Sequence, residues 1–336
     1  MKHVIIGGDG FVGRHLARQL VDLGETVVIA DIARSPWPVY EHVTYLPVDV
    51  TDAAAVATLP IEPGDAVYNL SAKMLSPIQT RAKRHDFFWP VNYRGAENVM
   101  KAMAARGVTT LVHFTTDMVY GHTFSWPQDE THATAPLGEY GESKLATERL
   151  AETYREQGLS ISIFRPRLII GPGRLGILSK LFKLIDRHLP VPMIGSGRNP
   201  YQFISVHDCA SACVAAWRAG FPNEAYNLGS DDPPSVRELL GGLIEEAKSR
   251  SFLLPTPAWA VKATLNLLDR LNMPIMDPEQ YMIADEYCLL DTTKAKTQLG
   301  WRPLYDDTAM LRAAYREYRA GLAKGGATAA HAVPAE

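Results

Sequence analysis

The chain has 336 residues, 46% of them hydrophobic, enough to bury one large core or two modest ones. Its 34 basic and 37 acidic residues leave a formal charge of −3, which gives no reason to expect a nucleic-acid partner. Three cysteines are an odd number and too few for a disulfide framework, so a reducing compartment is expected.

The opening MKHVIIGGDGFVG has only a short apolar run before Gly7 and reads as a first strand, since a signal peptide needs a longer apolar core. No stretch approaches the ~20 apolar residues of a membrane span. From there apolar runs alternate with helical patterns. HVIIG (3–7) is followed by a helix over 11–23, then TVVIAD (26–31), VTYLPVDV (43–50) and DAVYNLSA (65–72). A helix over about 91–105, TTLVHFTT (109–116), a helix near 140–156 and LSISIFRP (159–166) continue the rhythm. Such alternation predicts an α/β chain with a Rossmann-type, doubly wound parallel sheet covered on both faces. After Arg165, Pro and Gly punctuate 166–200 around a basic amphipathic helix near 177–187. A strand and helix return at QFISVHDCASACVAAWRAG, AYNLGS (225–230) adds a strand, and 231–318 is mostly helical.

Gly7-Gly8-Asp9-Gly10-Phe11-Val12-Gly13 lies between a predicted strand and helix. Glycines there allow a tight turn and let a pyrophosphate approach a helix N-terminus, whose N–H groups favour anions. An ordinary Gly-rich turn is the competing reading. Asp31 ends the second strand at the offset of a ribose-binding carboxylate, which favours NAD; Arg34 keeps NADP open. Asp49, with Val50 beside it, could reach the adenine edge, or could simply start a helix. Tyr140-Gly141-Glu142-Ser143-Lys144 sets a phenol and an ammonium one helical turn apart. A neighbouring cation favours the phenolate, so Tyr140 could exchange a proton with an alcohol or carbonyl.

Taken together, GGDGFVG, VDV (48–50), NLSA (69–72), VNYRGAENV (91–99), TTDMVYG, YGESK, FRPRLIIGPG and FISVHDCASA resemble the extended short-chain dehydrogenase/reductase superfamily, also called the nucleotide-sugar epimerase/dehydratase superfamily. The resemblance runs from Lys2 to about Arg319. It implies that Thr116 orients the substrate, that Tyr140 moves the proton, and that Lys144 holds the nicotinamide ribose and tunes Tyr140. It also implies that Asn92 and the stretch Leu70, Ser71, Ala72 and Lys73 line the cofactor. With Thr115 and Arg167 these join Gly7, Gly10, Phe11, Val12, Gly13, Asp31, Asp49 and Val50 as the expected cofactor-binding set. The implied division is an NAD-binding domain (1–169 and 201–230), a smaller discontinuous lobe for substrate (170–200 and 231–319), and a flexible tail (320–336).

Sugar 4,6-dehydratases of that superfamily carry Thr-Asp-Glu before VYG, but here Met118 stands where Glu would be. Met carries no proton, so elimination of water by that route is not expected. Asp117 contacts substrate or bonds its own turn. Nucleotide-sugar members tend to place Asn where this chain has Leu168, and Arg where it has Tyr201. Both changes weaken a diphosphate anchor, unless Arg198 or Arg174 compensates. The pattern therefore looks closest to the 3β-hydroxysteroid dehydrogenase branch. The expected function is an NAD(P)-dependent dehydrogenase or ketoreductase on a sterol-like or ketolipid substrate. Met74, Asp117, Met118, Leu168, Arg198 and Tyr201 would line the substrate site. The enzymatic alternative is a nucleotide-sugar epimerase or reductase; a non-catalytic NADH-sensing protein is the third reading.

In LLPTPAWAVKATLNLLDRLNMPIM (253–276), Trp259, Ala263, Leu267 and Leu271 form one helical stripe that Val261, Leu265 and Leu268 widen. Packing on the lobe's own core is the ordinary expectation; lining a lipid-sized pocket or resting on a membrane are the others. The expected location is the cytoplasm, with peripheral contact at the inner face of a membrane, and the expected assembly is a homodimer. His207, Cys209 and Cys213 read as buried small side chains with Asp208 capping their helix, and Cys288 reads as core, so no metal site is expected.

Overall fold

A computed structural model describes residues 1–32, 34, 43–173, 176 and 178–323. Its strands are β1 (Lys2–Ile6), β2 (Thr26–Asp31), β3 (Val43–Pro47), β4 (Ala66–Asn69), β5 (Thr110–Phe114), β6 (Ser160–Pro166), β7 (Leu168–Ile170), β8 (Val191–Ile194), β9 (Phe203–Ser205), β10 (Ala225–Leu228) and β11 (Leu253–Thr256). The helices are α1 (Phe11–Asp22), α2 (Ala53–Ala57), α3 (Arg84–Trp89), α4 (Ala96–Ala105), α5 (Glu139–Glu156) and α6 (Leu178–Asp186) in the first half. There follow α7 (Val206–Arg218), α8 (Val236–Glu246), α9 (Ala258–Arg270), α10 (Pro278–Tyr281), α11 (Thr293–Gln298) and α12 (Asp307–Ala323).

Seven strands form one parallel sheet in the order β10-β6-β5-β4-β1-β2-β3. Alternate side chains of each strand feed opposite faces, and both faces are covered. Ile5, Val27, Ile29, Tyr68, Val112 and Phe164 pack with α1 and α7 on one side. Val4, Ile6, Val28, Val67, Leu111 and Ile161 pack with α4 and α5 on the other. This is the Rossmann-type arrangement that the alternation of elements predicts. A third core, with Ile170, Phe182, Phe203, Leu243, Leu311 and Tyr315, holds a mostly helical lobe beside the sheet. Two short parallel pairs, β8 with β11 and β7 with β9, belong to that side of the molecule.

Parallel strands all end on one edge, so the segments that matter converge there. Gly7 follows β1, Asp31 ends β2, Leu70 follows β4, Thr115 and Thr116 follow β5, and Arg167 follows β6.

Several local expectations need revision. The helix predicted from about 91 begins at Arg84 and passes through Pro90. Proline lacks the donor for an ordinary turn, and Pro90–Gly95 winds as a wider π turn that buries Asn92. Ser205, not Asp208, caps α7, accepting the His207 N–H. Asp208 instead accepts the N–H groups of Leu304 and Tyr305, and Trp301 donates to its carbonyl. Cys288 is buried, in keeping with its reading as core, in a stretch without regular structure. Arg174 and the chain beyond Ala323 lie outside the described residues.

One buried pair ties the sheet to α5. Arg165 meets Glu148 through two nitrogens, at 2.6 and 3.0 Å, and donates to the Tyr120 hydroxyl at 2.9 Å. The Thr115 hydroxyl also donates to Glu148, at 2.6 Å. Glu148→Ala leaves the guanidinium in the interior without its counter-charge and should lower unfolding free energy by about 3–5 kcal/mol in urea titrations. Glu148→Ala combined with Arg165→Met should recover most of that loss.

Candidate active site

The cradle after β1 is shaped by close approach. Gly7 sits at φ 72°, and a Cβ there would lie 2.7 Å from the Ser71 nitrogen. A Cβ on Gly13 would lie 2.5 Å from the Gly7 carbonyl oxygen. No side chain caps α1 at Gly10, so the N–H groups of its first turn, at Phe11 and Val12, are left for an anion. Asp31 braces the same turn: its carboxylate accepts from the Asp9 N–H at 3.0 Å and the Ile32 N–H at 2.8 Å. Arg34 lies over the Tyr45 ring, 4.6 Å from its centre. Asp49 is exposed and accepts both the N–H and hydroxyl of Thr51, while Val50 is buried against Gly95.

Beyond β4 the chain runs through Leu70, Ser71, Ala72, Lys73 and Met74. Ser71 donates to Asn69 at 2.6 Å, and Lys73 N–H donates to Asn92 Oδ1 at 2.8 Å. The Asn92 amide nitrogen bonds the Lys73 carbonyl and Ser143 Oγ, and Ser143 donates to the Tyr140 carbonyl at 2.7 Å. The π turn thus clamps the loop after β4 to the first turns of α5.

Tyr140 is buried, its ring 5.6 Å from that of Phe88, and its hydroxyl donates to Met74 Sδ at 3.5 Å. One turn on, Lys144 is fully enclosed and donates from Nζ to the Phe114 carbonyl at 3.0 Å. Burial lowers its pKa to about 8, with Glu148 pulling the other way. Burial, aided by Lys144, also pushes His113 down to about 3, so His113 is a neutral hydrogen-bonding partner of Thr147. Thr116 caps the short turn Asp117–Val119, accepting from the Met118 N–H at 3.2 Å and donating to Asp117 at 3.3 Å. Thr115 sends its hydroxyl to Glu148 and the Phe164 carbonyl. Lys144 therefore reaches the end of β5, two residues before Thr116, while Tyr140, one turn earlier on the same helix, faces Met74 in the loop after β4.

Arg167, expected among the cofactor contacts, is otherwise engaged. Its guanidinium is buried, ion-paired with Asp117 and 5.4 Å over the Tyr201 ring. Burial opposes that charge, but its neighbours, the Asp117 carboxylate foremost, together outweigh it and keep Arg167 protonated. Leu168 and Tyr201, expected on the substrate surface, pack against the lobe core. Met118 is half-buried, and Arg198 is exposed on the turn after β8.

Sequence reasoning missed Glu279. From the lobe helix α10 it accepts the Tyr140 N–H at 2.9 Å and the Gly141 N–H at 2.9 Å, capping α5 where Gly138 has no side chain. Burial raises its pKa well above the usual carboxylate range, and nearby Asp277 adds to that. Asp277 and Asp269 both pair with Arg84 at the start of α3. Nothing near Glu279 in the chain signals this, because its partners lie 138 and 139 positions away.

A glycine turn on a parallel-sheet edge, a carboxylate closing β2, and a Tyr–Lys pair on the helix before β6 define a dinucleotide-binding oxidoreductase fold. The chain belongs to the NAD dependent epimerase/dehydratase family, whose model matches residues 3–229, and NAD is the cofactor of that family. It is 32% identical over 328 residues to the uncharacterized protein y4nG of Sinorhizobium fredii, covering 96% of this chain and 81% of that one. It is 27% identical to a UDP-N-acetyl-alpha-D-glucosaminuronate decarboxylase of Bacillus cytotoxicus, over 76% of this chain and 83% of the other. The UDP-glucose 4-epimerase of Thermotoga maritima superposes with a TM-score of 0.77 at 22% identity, covering 96% of this chain and 100% of the epimerase; that likeness carries the fold.

The expectation of a sterol or ketolipid dehydrogenase of the 3β-hydroxysteroid type is overturned. Nucleotide-sugar enzymes prevail among the similar structures and sequences. The expectation rested on Leu168 and Tyr201, which serve the lobe core, so their apolar character says little about the substrate. Among the described residues no helix is long and apolar enough to cross a membrane.

Lys144 offers a direct check on this geometry. Its pKa is held to about 8 in the folded chain, against 10.5 for an unperturbed lysine. Below about 8 burial penalises the charged folded form; between 8 and 10.5 the unfolded chain binds more protons, so this group's contribution to stability rises with pH. A carbon-13 titration of the lysine ε-methylenes in the cofactor-free protein should show one resonance, absent in Lys144→Met, with a midpoint about 8. A midpoint at the ordinary lysine value would contradict the enclosed ammonium.

Proposed function

We propose that the chain is an NAD-dependent epimerase acting on a nucleotide-activated sugar. The observation that carries this reading is the enclosed Lys144 ammonium beneath the strand end that bears Thr116, one turn from Tyr140. In this reading bound NAD supplies the hydride acceptor and, in return, the donor. Tyr140 takes the proton of the sugar carbinol and gives it back, while Thr116 donates to or accepts from the same oxygen. The Lys144 charge favours the phenolate of Tyr140 as the proton leaves. Gly7, Gly10, Phe11, Val12 and Gly13 would hold the pyrophosphate, Asp31 the adenosine ribose, and Asn92 with Leu70–Lys73 the nicotinamide side.

Two features favour epimerisation over loss of water. Met118 has no proton to give, and the Asp117 carboxylate is engaged by Arg167 and Thr116. Removing a hydroxyl would need an acid and a base at those two positions. In this reading Arg198, exposed on the turn after β8, would meet the substrate's phosphates.

Incubating the protein with NAD and a panel of UDP- and dTDP-sugars should give an epimeric product with no net absorbance at the reduced-nicotinamide band. Net, stoichiometric reduction of NAD would instead establish a dehydrogenase. Tyr140→Phe should lower turnover by about 100-fold or more while retaining NAD binding, because it deletes only the proton-carrying oxygen. Turnover equal to the parent enzyme would remove Tyr140 from the mechanism.

A further inference from the structure

Helix α9 and its flanks leave an apolar surface uncovered. The stripe expected to pack on the lobe core faces outward: Trp259 is 77% exposed, and Phe252, Leu267, Leu271, Met273 and Ile275 are each more than half exposed. The inner side of α9 is held separately, by Asp269 on Arg84 and by half-buried Val261, Leu265 and Leu268. The outward stripe is therefore not needed to fix the helix.

The surface is continuous with a ring of cations. Lys180 on α6 donates to the Ile275 carbonyl at 3.2 Å, closing α6 against the turn after α9. At the other end, His188 bonds Ser249 at 2.9 Å and the Arg250 N–H, and Val191 N–H donates to the Phe252 carbonyl at 2.9 Å. Lys180, Lys183, Arg187, Lys248, Arg250 and Arg270 are all exposed around this path. Segments 178–194 and 248–276 hold seven Lys and Arg (those six and Lys262) against two acids, Asp186 and Asp269. Their sum is 7 − 2 = +5, in a chain whose formal charge is −3. Both acids are engaged internally, Asp186 by Arg319 and Asp269 by Arg84, and Lys262 is paired with Asp285 outside these segments, so the six exposed cations carry the basic margin.

We propose that this face docks on an anionic lipid bilayer, with the Trp259–Leu271 stripe in the headgroup boundary and the basic ring on the lipid phosphates. An amphipathic helix with Trp and Leu on one face and Lys and Arg at its margins matches the physics of interfacial binding. The cations argue against a second copy of the chain as the occupant. A twofold interface would set the same patch against itself and bring like charges together. The apolar stripe argues against a polyanion in solution, which offers nothing to cover Trp259 or Leu267. The docking face adjoins the candidate site: Arg84, bound by α9, lies one turn before Phe88, which packs on Tyr140.

The test is flotation of the full chain with vesicles of equimolar phosphatidylglycerol and phosphatidylcholine, beside vesicles of phosphatidylcholine alone. The wild type should float with the anionic vesicles, less so at high salt, and stay behind with the neutral ones. Leu267→Glu and, separately, Lys183→Glu/Arg187→Glu should each weaken partition about tenfold, with NAD binding and sedimentation unchanged. Both sites are exposed, so folding is not at stake. Three results would each overturn the proposal: no flotation of the wild type, flotation indifferent to these substitutions, or a wild-type oligomer that Leu267→Glu dissociates without any lipid binding.

Discussion

Helix α5 is held in place by polar bonds, and the site inherits its geometry from them. Its inner face carries Tyr140, Ser143, Lys144, Thr147 and Glu148, all buried. Each is answered in turn: Tyr140 N–H by Glu279, Ser143 by Asn92, Lys144 by the Phe114 carbonyl, Thr147 by His113, Glu148 by Arg165. Hydrophobic contact tolerates small slips, whereas a buried hydrogen bond that loses its partner costs the full desolvation of both groups. A helix registered by such bonds holds its side chains to fractions of an ångström, as the proposed proton transfer would require.

The same logic explains what the sequence revealed and what it concealed. The sheet was legible because strands buried on both faces must be continuously apolar, and the glycine turn because its spacing falls between a strand and a helix. The placement of Tyr140 and Lys144 one turn apart on a helix was legible because that spacing is local. Glu279, Arg84 and Asp277 were not, because their partners are distant in the chain and nothing in their neighbourhoods distinguishes them from ordinary capping or surface charge. Asp208 was misassigned for a related reason. Its place in the first turn of α7 suggested a cap, while the loop before α12, at Leu304 and Tyr305, claims its carboxylate.

Leu168 and Tyr201 teach a narrower lesson. Comparison by motif treats a position as if its environment were constant. Here β7 pairs with β9, and both residues pack into the lobe core; Tyr201 also lies beside Arg167, which Asp117 neutralises. An apolar residue at such a place reports the packing around it. The stripe on α9 shows the converse: a pattern that looks like core can face water, and burial must be seen before it is assigned.

The residues that match the family end at 229, yet much of what stabilises them lies beyond. Asp307 accepts the Ser230 hydroxyl and the Phe203 N–H, Trp301 reaches the Asp208 carbonyl, and Glu279 caps the helix that carries Tyr140. A fragment cut at that boundary would keep every recognisable motif while stripping the exposed ends of three elements of their partners. The stretch that identifies this molecule is thus smaller than the stretch that can stand alone, and homology boundaries are poor guides to where it may be severed.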